Sequence, residues 1–166
     1  LATHVYGIPN LVEGNPVIYD ASHAFTTRID GKSILAYGDV SAISFSAVKV
    51  FQTGEGGAFV TNNNELARKA RQMRNYGLED RYKVGGPGLN AKMSEIHAAM
   101  GLTVLPYINR VRKKLDQIVK RYDKALGTKS PAGCLLYYPV LLPSEKELAA
   151  ASKEFENKSI FPRRYF

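Results

Sequence analysis

A chain of 166 residues, 45% hydrophobic and 23% charged, is long enough to bury a core and has the make-up of one ordinary globular domain. A single cysteine, Cys134, excludes an internal disulfide framework. With no export pattern at the first residues and no run that reads as a membrane span, the expected location is cytoplasmic. The net charge of +8 points to an anionic small ligand rather than nucleic acid, because the basic clusters at 68–74 and 110–124 lie on amphipathic helical patterns without any nucleic-acid-binding motif.

Residues 1–15 form a loop-rich entry around Tyr6-Gly7-Ile8-Pro9-Asn10. Val17-Ile18-Tyr19 reads as a short buried strand ending at Asp20, and α/β proteins place ligand contacts just past such strand ends. Asp30-Gly31-Lys32 is a tight turn between two short segments, 27–29 and 33–35. Strands follow at 40–46 and 57–61, then a helix over 65–76 capped from the Asn62-Asn63-Asn64 turn, with Leu66, Ala70 and Met73 as its apolar stripe. A glycine-rich loop spans 84–90. Ser94 caps a second helix, whose Ala98, Ala99 and Gly101 imply close packing, and Pro106 separates it from a third that ends near Leu126. Residues 135–142 read as a strand, 145–156 as a helix and 160–161 as a short strand. The alternation predicts an α/β architecture over 1–126 and the beginning of a smaller α+β unit over 127–166.

Lys49 is the chemically pointed residue. It stands between Val48 and Val50 and beside Phe51, and desolvation there would favour the neutral, nucleophilic amine used in carbonyl and pyridoxal chemistry. A strand-edge lysine whose ammonium reaches water has the same local sequence. The glycines at 54–57 lack the spacing of a Walker or dinucleotide loop and read as a tight turn that brings backbones close.

Four segments, taken in order, resemble one family. Asp20-Ala21-Ser22-His23, Ser44-Phe45-Ser46-Ala47-Val48-Lys49, Gly54-Glu55-Gly56-Gly57 and Gly88-Leu89-Asn90-Ala91-Lys92-Met93-Ser94-Glu95 are similar to motifs of the DegT/StrS-type nucleotide-sugar aminotransferases, which use pyridoxal phosphate. Ile160-Phe161-Pro162-Arg163-Arg164-Tyr165-Phe166 is similar to a stretch near the start of that family's small domain. The wording is nearest to members acting on dTDP-4-keto-6-deoxyglucose. The resemblance implies a partial fold-type-I large domain, three-layered with a mainly parallel sheet, followed by the beginning of the small domain.

It also implies site roles. Lys49 would hold the cofactor as a Schiff base and shuttle protons, Asp20 would pair with the pyridinium nitrogen, and His23 would contact the ring or its phenolic oxygen. Ser44 would meet the phosphate, and Asn90 the phosphate of a neighbouring subunit's cofactor, which makes a homodimer with shared sites the expected assembly. Arg163 and Arg164 are candidates for a substrate phosphate or carboxylate, and equally for a surface pair; His23 also reads as an ordinary hydrogen-bonded histidine. No metal ligand set is read. Against the family the chain lacks the N-terminal third, stops at Phe166 and has Ser46 where histidine is usual, so it reads as truncated at both ends. The expected function is transamination of a nucleotide-linked keto-deoxysugar with glutamate as donor. The alternatives are a catalytically silent binding or dimerisation module and a basic nucleic-acid-binding protein.

Overall fold

The structure is a computed structural model that describes residues 1–131, 133 and 136–165. In chain order these form β1 (Ala2–Thr3), β2 (Ile18–Asp20), β3 (Arg28–Ile29), β4 (Lys32–Ser33), β5 (Val40–Ser44), β6 (Gly57–Val60), α1 (Asn64–Arg74), α2 (Glu95–Val104), α3 (Ile108–Leu126) and α4 (Glu145–Asn157). The main sheet has the order β1-β2-β5-β6, with β1–β2 and β2–β5 parallel and β5–β6 antiparallel. As expected, Asp30 and Gly31 take positive φ values, and this turn joins β3 to β4.

Register explains which face is the core. Ala2, Tyr19, Ser41 and Val60 align across the sheet, and Thr3, Asp20, Ala42 and Phe59 align one residue further along. Successive side chains point to opposite faces. Ala2, Tyr19, Ser41 and Ile43 are therefore buried, whereas Ile18 (42% exposed), Ala42 and Phe59 (48% exposed) look outward. The segment Val17-Ile18-Tyr19, read as a short buried strand, buries Val17 and Tyr19 and exposes Ile18.

β5 stops at Ser44, short of the expected Ser46, because the Ser44 hydroxyl accepts the Ser46 N–H (3.3 Å) and competes with the ladder. At α1, Asn63 caps the N-terminus by accepting the Glu65 and Leu66 N–H groups. The helix ends before Tyr76, where Tyr76 and Gly77 both enter the left-handed region. The following 84–90 loop is tied down: Tyr76 N–H donates to the Leu89 carbonyl (2.9 Å) and Leu89 N–H to the Met73 carbonyl (2.7 Å).

α2 packs closely through Gly101, where a β-carbon would come within 2.8 Å of Thr53 Cγ2. Pro106 lies in a 3₁₀ turn (Leu105–Tyr107) leading into α3, which ends at Gly127 in the left-handed conformation. Beyond it, Asp123 Oδ1 accepts from Ser130 N–H (3.0 Å), Ser130 Oγ (2.7 Å) and the Tyr138 hydroxyl (2.9 Å), while Tyr138 stacks on Tyr122.

The expected strands at 135–142 and 160–161 do not form among the described residues; Leu135 and Cys134 lie outside them. Neither run meets a sheet edge. Tyr138 turns to Asp123 instead, and Ile160 N–H closes the end of α4 on the Phe155 carbonyl (2.9 Å).

Candidate active site

The site forms at the carboxyl ends of the parallel strands β2 and β5, where an α/β sheet leaves a crevice. Asp20 closes β2, and Ala21 N–H bonds the Ala42 carbonyl (2.8 Å), so the chain leaves the sheet with Asp20 fixed in place. Its carboxylate accepts the Ser22 N–H (3.0 Å). Lys49 lies in the turn after β5, closed by its N–H on the Ser46 carbonyl (3.0 Å). Phe25, Phe45 and Phe51 pin that turn to the segment after β2: Phe25 stacks on Phe51 at 5.0 Å, and Phe45 meets Phe51 edge-on at 4.9 Å. The rings, with Phe51 buried, hold the lysine turn against the aspartate turn.

Asp20, His23 and Lys49 are close enough to act on one another's charge. Burial pushes the Asp20 carboxyl upward, but the Ser22 hydrogen bonds and the charges of His23 and Lys49 outweigh it and hold the group below the usual carboxylate range. His23 is lowered, by burial first and then by the Lys49 charge, against the pull of Asp20. His23 Nδ1 accepts the Tyr6 N–H (3.2 Å), which places the proton of the neutral ring on Nε2. Of the two valines beside Lys49, Val48 is 67% exposed, whereas Val50 and Lys49 itself are partly buried.

The other sequence candidates fall elsewhere. Ser44 Oγ donates to Ser46 Oγ (3.3 Å) at the start of the same turn. Asn90 pairs with Asn75 beyond α1, and its Oδ1 accepts from Lys92 Nζ (2.7 Å), apart from the Asp20–His23–Lys49 group. Arg164 forms a two-bond fork with Glu145 (2.7 and 2.8 Å). Arg163 lies over the Tyr165 ring at 5.0 Å.

Sequence reasoning missed the aromatic wall beside the site. Tyr137 packs on His23 (4.7 Å) and Tyr6 (5.5 Å), and Tyr165 stands edge-on to Tyr6 (5.4 Å) and Tyr137 (5.9 Å). Burial and a hydrogen bond with the Tyr165 hydroxyl push the Tyr137 phenol up. Tyr6 has φ +56, and Gly7 beside it has φ +85 with space for no side chain: a β-carbon would come within 2.5 Å of the Gly133 carbonyl oxygen. The one available signal was Tyr6-Gly7 in the loop-rich entry. His4, also missed, is wholly buried, stacks on Tyr19 (4.6 Å) and accepts the Asn10 N–H on Nδ1 (3.0 Å).

This frame is that of pyridoxal-phosphate-dependent aminotransferases. A putative aminotransferase of this kind from Bacillus cereus superposes with a TM-score of 0.80 at 26% identity over 92% of this chain and 45% of its own. DesI, solved with its TDP-sugar product, gives a TM-score of 0.68 at 33% identity over 75% of this chain and 34% of its own. The chain belongs to the DegT/DnrJ/EryC1/StrS aminotransferase family, whose profile matches residues 12–135. It is 38% identical to a dTDP-4-amino-4,6-dideoxy-D-glucose transaminase of Shigella dysenteriae over 90% of this chain and 44% of that protein. The chain thus spans less than half the length of that relative. Pyridoxal phosphate is the cofactor of the family.

Proposed function

We propose that this chain carries part of the cofactor-binding large domain (1–126) and the beginning of the small domain (127–166) of an enzyme that transaminates a nucleotide-linked keto-deoxysugar. The observation that carries this reading is the gathering of Asp20, His23 and Lys49 at the ends of β2 and β5.

That donor set suits pyridoxal phosphate. An ionised carboxylate, Asp20, would keep the ring nitrogen protonated; His23 would donate from Nε2 to the phenolic oxygen; and Lys49 Nζ would hold the cofactor covalently. Ser44 would meet the phosphate, and its hydroxyl already sits in the lysine turn. When bound, the cofactor supplies an electron sink conjugated to the carbon that exchanges nitrogen. Lys49 Nζ would act as the base that removes the proton from that carbon of the donor and as the acid that delivers one to that carbon of the sugar acceptor. The dTDP-linked 4-keto-6-deoxy sugar is favoured as substrate by the relative in Shigella, glutamate is the proposed donor, and the cytoplasm, with its nucleotide-activated sugars, is the proposed location.

A homodimer is the proposed assembly. α2 is predominantly apolar yet leaves Ile96 81% and Leu102 73% exposed, and such a helix requires a cover. The exposed Asn90 lies just ahead of α2, suitably placed to reach a second subunit.

The test supplies the chain with pyridoxal phosphate, glutamate and the dTDP-linked 4-keto sugar and follows the amino sugar by mass spectrometry. Its appearance supports the reading. A chain that folds and self-associates but yields none favours the silent dimerisation module, which the same exposed α2 would serve.

A further inference from the structure

We propose that Arg163, carried on the wall of Tyr6, Tyr137 and Tyr165, binds the diphosphate of the nucleotide-linked substrate, and that its neighbour Arg164 serves only the scaffold. The assignment rests on the nucleotide-sugar reading given above.

The two arginines are adjacent in sequence and opposite in circumstance. Arg164 spends its fork on Glu145, with bonds of 2.7 and 2.8 Å. Arg163 forms no salt bridge among the described residues, and its guanidinium carbon lies over the Tyr165 ring, 5.0 Å from the centroid. A guanidinium held over a ring and paired with no carboxylate keeps N–H donors for an acceptor, and its fork matches a phosphate in two-bond geometry. The wall beneath it is continuous: Tyr165 stands edge-on to Tyr137 at 5.9 Å, and Tyr137 packs on His23 at 4.7 Å. The charge of Arg163 is felt at the Tyr137 hydroxyl. Tyr6 completes the wall from a left-handed backbone held by its N–H on His23 Nδ1, a costly conformation for a tyrosine that fixes the ring beside the site.

Position along the wall decides which anion Arg163 meets. The carboxylate of an amino-acid donor is bonded to the carbon that loses nitrogen, so it must bind beside Lys49 and His23. In a 4-keto sugar nucleotide the diphosphate hangs from the anomeric carbon, across the pyranose ring from the reacting carbonyl. Arg163 is two ring contacts beyond His23, at the diphosphate's end.

The experiment titrates thymidine diphosphate, inorganic pyrophosphate and glutamate into the chain and its variants by calorimetry, and follows conversion of the cofactor-loaded chain by glutamate spectroscopically. Arg163→Gln is expected to weaken thymidine diphosphate and pyrophosphate binding about tenfold or more, the loss of a charge-assisted pair, and to leave glutamate conversion unchanged. Arg163→Lys restores only part of the affinity, and Arg164→Gln changes it less than about twofold. The proposal is overturned if the unaltered chain binds no thymidine diphosphate, if both glutamine variants lose equally, or if Arg163→Gln impairs the glutamate step instead, which would give the residue to the donor carboxylate. Cofactor uptake that fails while Arg163-dependent diphosphate binding persists would refute the aminotransferase reading and leave this one standing.

Discussion

The sheet portion and the helical portion of this chain are stabilised on different terms. Buried apolar side chains run from Ala2 to Phe51, and beyond them Val119 is the only one among the described residues. The sheet portion therefore encloses its own core, and the site built on it is anchored by that core through Phe25, Phe45 and Phe51. The helical portion is different. α1 and α4 bury no side chain fully, and α2 exposes the apolar residues that its composition would put inside. The half with its own core carries the proposed catalytic residues, and the half with exposed apolar side chains carries the proposed subunit contacts.

That contrast breaks most visibly at Ile34, which is fully buried with Ala21 and Ala24. Ile34→Ala should cost about 2–5 kcal/mol in a urea unfolding series. A loss below about 1 kcal/mol would mean that the sheet portion is no better packed than the helices.

His4 gives a smaller effect and a pH signature. Burial lowers its pKa and Asp20 opposes the shift, leaving it below the ordinary 6.5. Below that value the unfolded chain takes up a proton that the folded chain refuses, so stability is fully present above the usual imidazole range and falls as the solution is acidified through it. His23, also lowered, contributes in the same window, and Asp20 contributes at lower pH, where its depressed carboxyl is finally protonated. His4→Asn should lower stability by about 1–3 kcal/mol at neutral pH and make the acid limb shallower in urea midpoints measured against pH. An unchanged limb would remove His4 from this account.

The smallest stability effect is expected on α2. Ile96→Ser with Leu102→Ser should move monomer stability by about 0.5 kcal/mol or less per site, because both side chains are already in water. The same pair should shift sedimentation toward the monomer. Self-association that survives both changes would place the dimer contact elsewhere.

What the sequence made legible was local. Asn63 and Ser94 cap their helices and Asp20 closes β2, each where the sequence announced it. The association of Asp20 with Lys49 came from motif order, and the structure supplies its cause in the phenylalanine cluster, which no short window contains. Tyr6, Tyr137 and Tyr165 meet from opposite ends of the chain, so periodicity could not announce them. Two expectations failed for a shared reason. The run read as a strand at 135–142 pairs with no strand among its described residues, and Val48 turns to solvent although it adjoins the half-buried Lys49. A residue's environment is set by what packs across from it.

The central claim is that Lys49 holds the cofactor, and the direct measurement is borohydride reduction of the chain incubated with pyridoxal phosphate, followed by peptide mass spectrometry. The account predicts a stable pyridoxyl adduct on Lys49, with none at that position in Lys49→Ala and little on the other lysines. Labelling spread evenly over surface lysines, or unchanged in total by Lys49→Ala, would contradict it.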